Sequence, residues 1–333
     1  MSDWVKSFDK VKGVTLDITP RCTMLCNKCG RQTLQDFPTK MAPKMSDMTI
    51  SQYTKIVDYF EDIRFIGSFG DAVLHRDFHT MLKMAYERNR TVQIATAVSH
   101  RSFDWYKKAY EANPDATWIF GIDGMPEDSH KYRINQDGKH LFELMKLGKQ
   151  MNINVVWQYI IFKYNQNDIE KAKTLANSLG IKIQILKSKR FDGPDDPLLP
   201  DPKYANLYYQ KEDTSKLSEQ EMLQRYFRYN LQPKCLHKNA FFATHPQGYL
   251  LPCCWLTNYD VEEKFPELCN PDTHLDNVNS IEEIINSKYW NKHLRMLEQE
   301  DKNLPYQCWR KCHMGAPLPK STYEGSTYDR TKK

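Results

Sequence analysis

The chain has 333 residues, of which 40% are hydrophobic and 27% charged, the balance of an ordinary globular protein with length for about two domains. Its net charge of +5 is mild for this length and is not gathered into a long run, which argues against a nucleic-acid partner. No run approaches the ~18 apolar residues of a membrane helix, and Met1 to Lys12 contains no apolar signal-peptide core, so the sequence reads as a soluble, cytoplasmic protein without a membrane partner.

A β–α alternation begins at Gly13, with Val14, Leu16 and Ile18 on one face of a strand running to about Thr19. A cysteine-bearing loop follows and extends to about Asp47. Ile50, Tyr53, Ile56, Val57 and Phe60 then recur at helical spacing. A second strand, Arg64 to Gly67, leads into Ser68-Phe69-Gly70-Asp71-Ala72. Phe78, Met81, Leu82 and Ala85 predict the next helix, and Val92 and Ile94 the third strand. Phe103, Tyr106 and Tyr110 form another helical stripe. Trp118 to Ile122 is an apolar strand ending in Asp123-Gly124. Leu141, Leu144 and Met145 mark a helix, Val155 to Phe162 a fifth strand, and Ile169, Ala172, Ala176 and Leu179 a helix closed by Gly180. Ile181, Ile183 and Ile185 predict a sixth strand.

Six strands alternating with five helices imply parallel β–α–β units, in an open doubly wound sheet or a barrel; periodicity does not choose between them. Both architectures gather their sites in loops at the carboxyl ends of strands. The cysteine loop, the Gly70-Asp71 loop, the Thr96 region and Asp123 all follow strands directly, so they are expected on one rim. The Lys187-Ser188-Lys189-Arg190 cluster reads as a solvated turn. Asp192-Gly193-Pro194-Asp195-Asp196-Pro197 breaks the pattern as a linker, a helix over Ser218 to Tyr229 follows, and a cysteine-rich region starts near Pro233.

The loop after the first strand reads Cys22-Thr23-Met24-Leu25-Cys26-Asn27-Lys28-Cys29, three thiols spaced CxxxCxxC. Three thiolates hold three irons of a four-iron cubane and leave the fourth open to another ligand. A structural zinc site would want a fourth Cys or His close by, and none follows until His75. An odd total of nine cysteines in a reducing compartment points to metal binding rather than disulfides.

The CxxxCxxC loop resembles the signature of the radical S-adenosylmethionine (SAM) enzymes, in which SAM chelates the open iron of a [4Fe–4S] cluster. Ile66-Gly67-Ser68-Phe69-Gly70-Asp71-Ala72 is similar to that family's Gly-Gly-Glu-Pro segment, with Asp71 in place of Glu and Ala72 in place of Pro. Gly121-Ile122-Asp123-Gly124 is similar to its Ser-Ile-Asp-Gly strand end, with Arg133 following, and Thr96 falls in the slot of its Thr-Asn-Gly. The resemblance implies cluster ligands Cys22, Cys26 and Cys29, and SAM contacts from Gly67, Ser68, Phe69, Gly70, Asp71, Thr96, Asp123 and Arg133. It also implies a partial (β/α)6 barrel.

In the second region Cys235, Gly248 and Cys253, with the later pair Cys308 and Cys312, resemble the twitch domain, the short form of the SPASM domain. The resemblance implies one auxiliary [4Fe–4S] cluster on Cys235, Cys253, Cys308 and Cys312. Cys254 is left as an ambiguous neighbour and Cys269 as a buried free thiol. The expected organisation is a barrel over residues 1–190, a linker and bridging helix over 191–232, a twitch/SPASM-like domain over 233–318 and a tail over 319–333.

What the resemblance implies is reductive cleavage of SAM to a 5′-deoxyadenosyl radical, fed by an external one-electron donor such as flavodoxin or ferredoxin. The substrate would be a peptide or small molecule that is oxidised or cross-linked, with the auxiliary cluster as electron acceptor. A dehydrogenase of a small alcohol or aminocyclitol is the alternative within the family. A non-catalytic zinc or iron–sulfur protein is the alternative outside it. About a dozen residues precede the first strand, too few for an independent peptide-binding fold. No residue type or spacing singles out a general base.

Overall fold

The computed structural model describes residues 5–34, 37–188, 190–205, 218–237 and 239–314. The expected tail over 319–333 lies outside the described residues. The first six strands are β1 (Gly13–Leu16), β2 (Asp62–Phe65), β3 (Thr91–Thr96), β4 (Thr117–Gly121), β5 (Asn154–Ile161) and β6 (Lys182–Lys187). Between them run α1 (Gly30–Thr33), α2 (Ile50–Tyr59), α3 (Phe78–Glu87), α4 (Phe103–Ala112), α5 (Gly138–Gln150) and α6 (Ile169–Ser178). The expected helices are all present.

The six strands are parallel and stand in the order 6-5-4-3-2-1, each beside its sequence neighbour. A doubly wound sheet reverses its strand order at a switch point, and this one does not, so right-handed crossovers put every helix on the same face. That face carries the core, including Leu16, Phe65, Ile94, Trp118 and Trp157, all fully buried. The other face is concave and lined by Thr15, Arg64, Ala95, Ile119 and Gln158. The architecture is a partial (β/α)6 barrel.

Strand β2 leaves the sheet two residues earlier than the expected Gly67. Ile66 N donates to Arg64 O at 3.1 Å, a turn that lifts the chain off the ladder. Helix α2 begins with a capping box in which Thr49 Oγ1 accepts from Gln52 N and Gln52 Oε1 accepts from Thr49 N. Gly180 follows α6 with φ +61°, the left-handed geometry of a helix-ending glycine.

After α7 (Glu219–Tyr226), β7 (Phe241–His245) joins the free edge of β1 in parallel, pairing Gly13 with Phe241. β8 (Tyr249–Leu251) then turns back antiparallel on β7. Gly248 makes that turn at φ +88°, and a Cβ there would meet the His274 ring at 2.2 Å. The Gly-x4-Cys spacing is therefore the length of one hairpin arm, which delivers Cys253 just past the end of β8. The remaining helices are α8 (Val261–Lys264), α9 (Ile281–Ile285), α10 (Lys288–Glu298) and α11 (Tyr306–Cys312). The cysteine-rich region thus extends the barrel sheet itself, and its apolar residues join the same core as the barrel's. Among the described residues no helix is long and apolar enough to cross a membrane.

Candidate active site

A cavity of about 1000 Å³ opens at the carboxyl ends of the barrel strands and along the concave face. Cys22, Cys26 and Cys29 line one side of it, and Cys235, Cys253 and Cys254 line another. The two cysteine sets, separated by more than two hundred positions in the chain, face the same space.

The first set is held by its own loop and by the segment after β4. Leu25 N donates to Ile134 O at 3.1 Å, Asn135 Nδ2 to Thr23 O at 3.2 Å and Arg31 Nη1 to Cys22 O at 3.0 Å. Cys29 is the residue before α1 and donates its N–H to Cys26 O at 3.0 Å. Burial and the nearby Asp71 carboxylate push the Cys22 thiol up to about 11. Burial also raises Cys26, while the Arg133 guanidinium, which donates toward its sulfur, pulls it down. A ligand that takes electron density from these thiolates would relieve the same penalty.

Packed against the start of the cysteine loop is the loop from Gly67 to Asp71, whose Asp71 N donates to Arg21 O at 2.9 Å. It is pinned by Asp17, a residue absent from the sequence-level candidates. Asp17 Oδ2 accepts from Ser68 N at 2.7 Å and Oδ1 from Phe69 N at 3.1 Å. Burial outweighs these donors and pushes the Asp17 carboxyl up to about 6. Gly70 packs so tightly on the cysteine loop's start that a Cβ would lie 1.8 Å from Thr19 O. Only glycine permits that approach.

Asp71 is buried, and its carboxylate is engaged within the protein. Oδ2 accepts from the Thr96 hydroxyl at 3.0 Å, Ala97 N at 2.9 Å and Val98 N at 3.2 Å, while Oδ1 accepts from Val73 N at 3.3 Å. One side chain therefore ties the loop after β2 to the end of β3.

Seven of the eight residues matched to SAM contacts line the cavity: Gly67, Ser68, Phe69, Gly70, Asp71, Thr96 and Arg133. Asp123 does not. It is fully buried behind Arg133, taking Arg133 Nε on Oδ2 at 2.7 Å and Ile160 N on Oδ1 at 2.8 Å. Gly121 makes room for the pair, since a Cβ there would come within 3.0 Å of Arg133 Nη2.

Cys235 sits in the short turn Lys234–Leu236, Cys253 follows β8, and Cys308 and Cys312 lie one turn apart on α11. Burial raises the Cys235 thiol, and the charge of Cys312 raises it further. Burial raises Cys308, with Cys235 and Cys312 adding to the effect, so these sulfurs are within electrostatic reach of one another. Cys253 is raised first by a hydrogen bond shared with Cys254 and then by burial, and it also senses Cys235. Gln232 N donates to Cys312 O at 2.6 Å, joining the end of α11 to the segment before Cys235. Cys269 is buried elsewhere and does not line the cavity. Among the described residues no three His, Cys, Asp or Glu side chains are grouped to hold a single metal ion.

Two segments make contacts that their sequence did not signal. Arg190, read as part of a solvated turn, is exposed but lines the cavity and donates from Nη1 to Lys28 O at 3.3 Å. The linker after it packs against the cysteine loop: Phe191 is buried, and Lys28 pairs with Asp192 and, at 2.8 Å, with Asp196. Proline and glycine marked the end of the β–α pattern correctly but carried no signal of what the segment would pack on.

No protein-family model matches this chain, and no curated protein does. Solved structures do. A histidine-tagged anSMEcpe with bound AdoMet superposes at a TM-score of 0.55 with 13% identity, over 90% of this chain and 85% of that one. Streptococcus suis SuiB bound to precursor peptide SuiA superposes at 0.54 with 10% identity, over 84% of this chain and 66% of that one. A further SuiB structure superposes at 0.50 with 10% identity over 75% of this chain, which spans only 62% of SuiB's length. At these identities the likeness is one of fold.

Proposed function

We propose that this chain is a radical SAM enzyme, and the observation that carries the reading is the shared cavity. A CxxxCxxC loop, a glycine-rich loop after β2 and a second cysteine set all line it. The fold shared with a structure containing AdoMet supports the same reading.

On this reading the Cys22, Cys26 and Cys29 thiolates hold a [4Fe–4S] cluster, and SAM lies along Gly67 to Asp71, Thr96 and Arg133. The donor set suits that group. The thiols are soft ligands held out of bulk water, Arg133 stands against Cys26, and the buried Arg31 Nε–H has no partner among the described residues. When bound, cluster and SAM would supply a 5′-deoxyadenosyl radical that takes a hydrogen atom from an unactivated carbon. The protein's part is to position and to shield. Asp17 and Asp123 act behind the lining, Asp17 fixing the glycine loop and Asp123 the Arg133 guanidinium, while Asp71, in the lining, fixes the end of β3.

Cys235, Cys253, Cys308 and Cys312 are proposed to hold an auxiliary [4Fe–4S] cluster, in a twitch-like unit over 233–318 that follows a barrel over 1–190. A peptide is the favoured substrate, because structures of the same fold contain bound peptides. A net oxidation or cross-link, an external flavodoxin or ferredoxin donor and a reducing cytoplasmic setting complete the proposal.

The test is anaerobic reconstitution, followed by iron and sulfide analysis and by 5′-deoxyadenosine release on adding SAM and a reductant. About eight irons per chain are expected for two four-iron clusters, falling to about four in Cys308→Ala. Zinc in place of iron, with SAM untouched, would sink the proposal.

A further inference from the structure

Burying a glutamine is costly unless its carboxamide is hydrogen-bonded. Five glutamines are buried among the described residues, and four of them spend the group on the protein. Gln52 accepts from Thr49 N and donates to Asp276, Gln166 accepts from Asp201 N, and Gln247 donates to Asp260 and accepts from Val261 N. Gln136 donates to Ala97 O at 2.7 Å and to Gly121 O at 2.9 Å. The fifth, Gln184 on β6, has no side-chain hydrogen-bond partner among the described residues.

Its neighbour is in the same condition. Gln158 on β5 stands in register with Gln184, so both side chains leave the sheet on the concave face. Gln158 is half-buried and lines the cavity, and its carboxamide also has no partner among the described residues. On the other side its register partner is Gly121, which leaves that position of β4 without a side chain. Ile119, Tyr132 and Phe191 add apolar surface to the same cavity. Two carboxamides therefore stand on adjacent strands, about 4.8 Å apart at the backbone. Each has an acceptor oxygen and two N–H donors unused.

We propose that Gln158 and Gln184 bind an amide group of the substrate, a main-chain peptide group or a side-chain carboxamide, on the β5–β6 wall of the cavity. The proposal rests on the cavity being the substrate chamber of the enzyme proposed above. An amide presents one donor and one acceptor in a plane, the complement of what a carboxamide offers, and no charge has to be desolvated to bring them together. Contacts from two adjacent strands fix the rotation of the bound group as well as its position, and with them which carbon of a peptide faces the cysteine rim.

The experiment uses the anaerobically reconstituted full chain and labelled N-acetyl-tetraalanine methylamide, with analogues in which each amide in turn is replaced by an ester. One ester is expected to bind about tenfold more weakly than the parent, for loss of its N–H donor. Gln158→Leu and Gln184→Leu should each weaken binding of the parent about tenfold and should no longer distinguish it from that ester. Because neither carboxamide bonds to the protein, both variants should unfold at the wild-type urea concentration or above it, whereas Gln136→Leu should unfold below it. Lys171→Gln, at an exposed position of α6, should leave binding unchanged. Displacement of the probe by N-methylacetamide at lower concentration than by propionamide assigns a main-chain amide; the reverse assigns a side-chain carboxamide. The proposal is overturned if the wild type does not bind the probe, if all the esters bind as the parent does, or if myo-inositol displaces it more readily than either amide. Undiminished binding by a folded Gln158→Leu/Gln184→Leu protein also overturns it, as does a loss of SAM affinity in that protein with probe binding intact. Failure of the wild type to release 5′-deoxyadenosine from SAM would instead refute the enzyme reading.

Discussion

Asp71 Oδ2 accepts the Thr96 hydroxyl at 3.0 Å, and the same oxygen takes the N–H groups of Ala97 and Val98. A buried carboxylate so committed stabilises the junction of two strand ends. Removing it strands donors that have no water to turn to. Asp71→Ala should lower stability by about 2–4 kcal/mol, read from urea unfolding. If stability is unchanged while SAM affinity falls, Asp71 acts on the ligand directly instead.

Asp17 predicts a pH dependence. Its carboxyl is raised from 3.8 to about 6 in the folded chain, so the folded state binds the proton more tightly than the unfolded state. Stability from this group is therefore full below about pH 4 and is lost as pH rises through about 6, a fall of about 3 kcal/mol. Burial shifts Asp71 and Asp123 in the same direction. Buried His245 and His293, whose imidazoles burial holds well below their usual range, push the other way, so the test is a difference: in urea unfolding from pH 4 to 7 the wild type should lose stability relative to Asp17→Asn as pH rises. A constant difference between the two proteins would rule out Asp17 as a source.

Gly70 and Gly30 should respond oppositely to alanine. A Cβ on Gly70 would lie 1.8 Å from Thr19 O, whereas one on Gly30 meets nothing nearer than Leu34 at 3.7 Å. Gly70→Ala is expected to cost about 3 kcal/mol or to displace the loop and abolish SAM binding. Gly30→Ala, in the short helix α1, should be neutral or stabilising by up to about 1 kcal/mol despite its position beside Cys29. Equal effects would mean that the 67–71 loop is not packed as described.

Arg133 places a positive charge against Cys26 and is oriented by Asp123. A cation beside a cluster ligand favours the reduced, more negative state. Arg133→Gln should lower the reduction potential of the cluster proposed on Cys22, Cys26 and Cys29 by about 60 mV, equivalent to a tenfold change for one electron. An EPR-monitored redox titration would measure it, and an unmoved potential would leave Arg133 a role in binding only.

The strands and helices of the barrel were legible because their signals are local. Alternation in Val14, Leu16 and Ile18, or helical spacing in Phe78, Met81, Leu82 and Ala85, depends on neighbours within a turn or two of chain. The CxxxCxxC loop was legible for the same reason, since its three cysteines lie within eight residues. Most of the candidate lining was also visible, because each segment followed a strand and parallel strands end on one rim.

What the tertiary structure alone decided were relations between distant residues. Strand order, with β7 added beside β1, chose the barrel over the doubly wound sheet. Thr244 Oγ1 accepts from Asp17 N at 3.0 Å across 227 positions, and Asp17 in turn holds the loop at Ser68. Asp123 stands behind the lining rather than in it, and Arg64 finds Phe241 through a space left by Gly13. None of these leaves a periodic trace in sequence. A carboxylate or a guanidinium looks the same in the chain whether it faces a ligand or a backbone amide, and only packing in three dimensions determines which it meets.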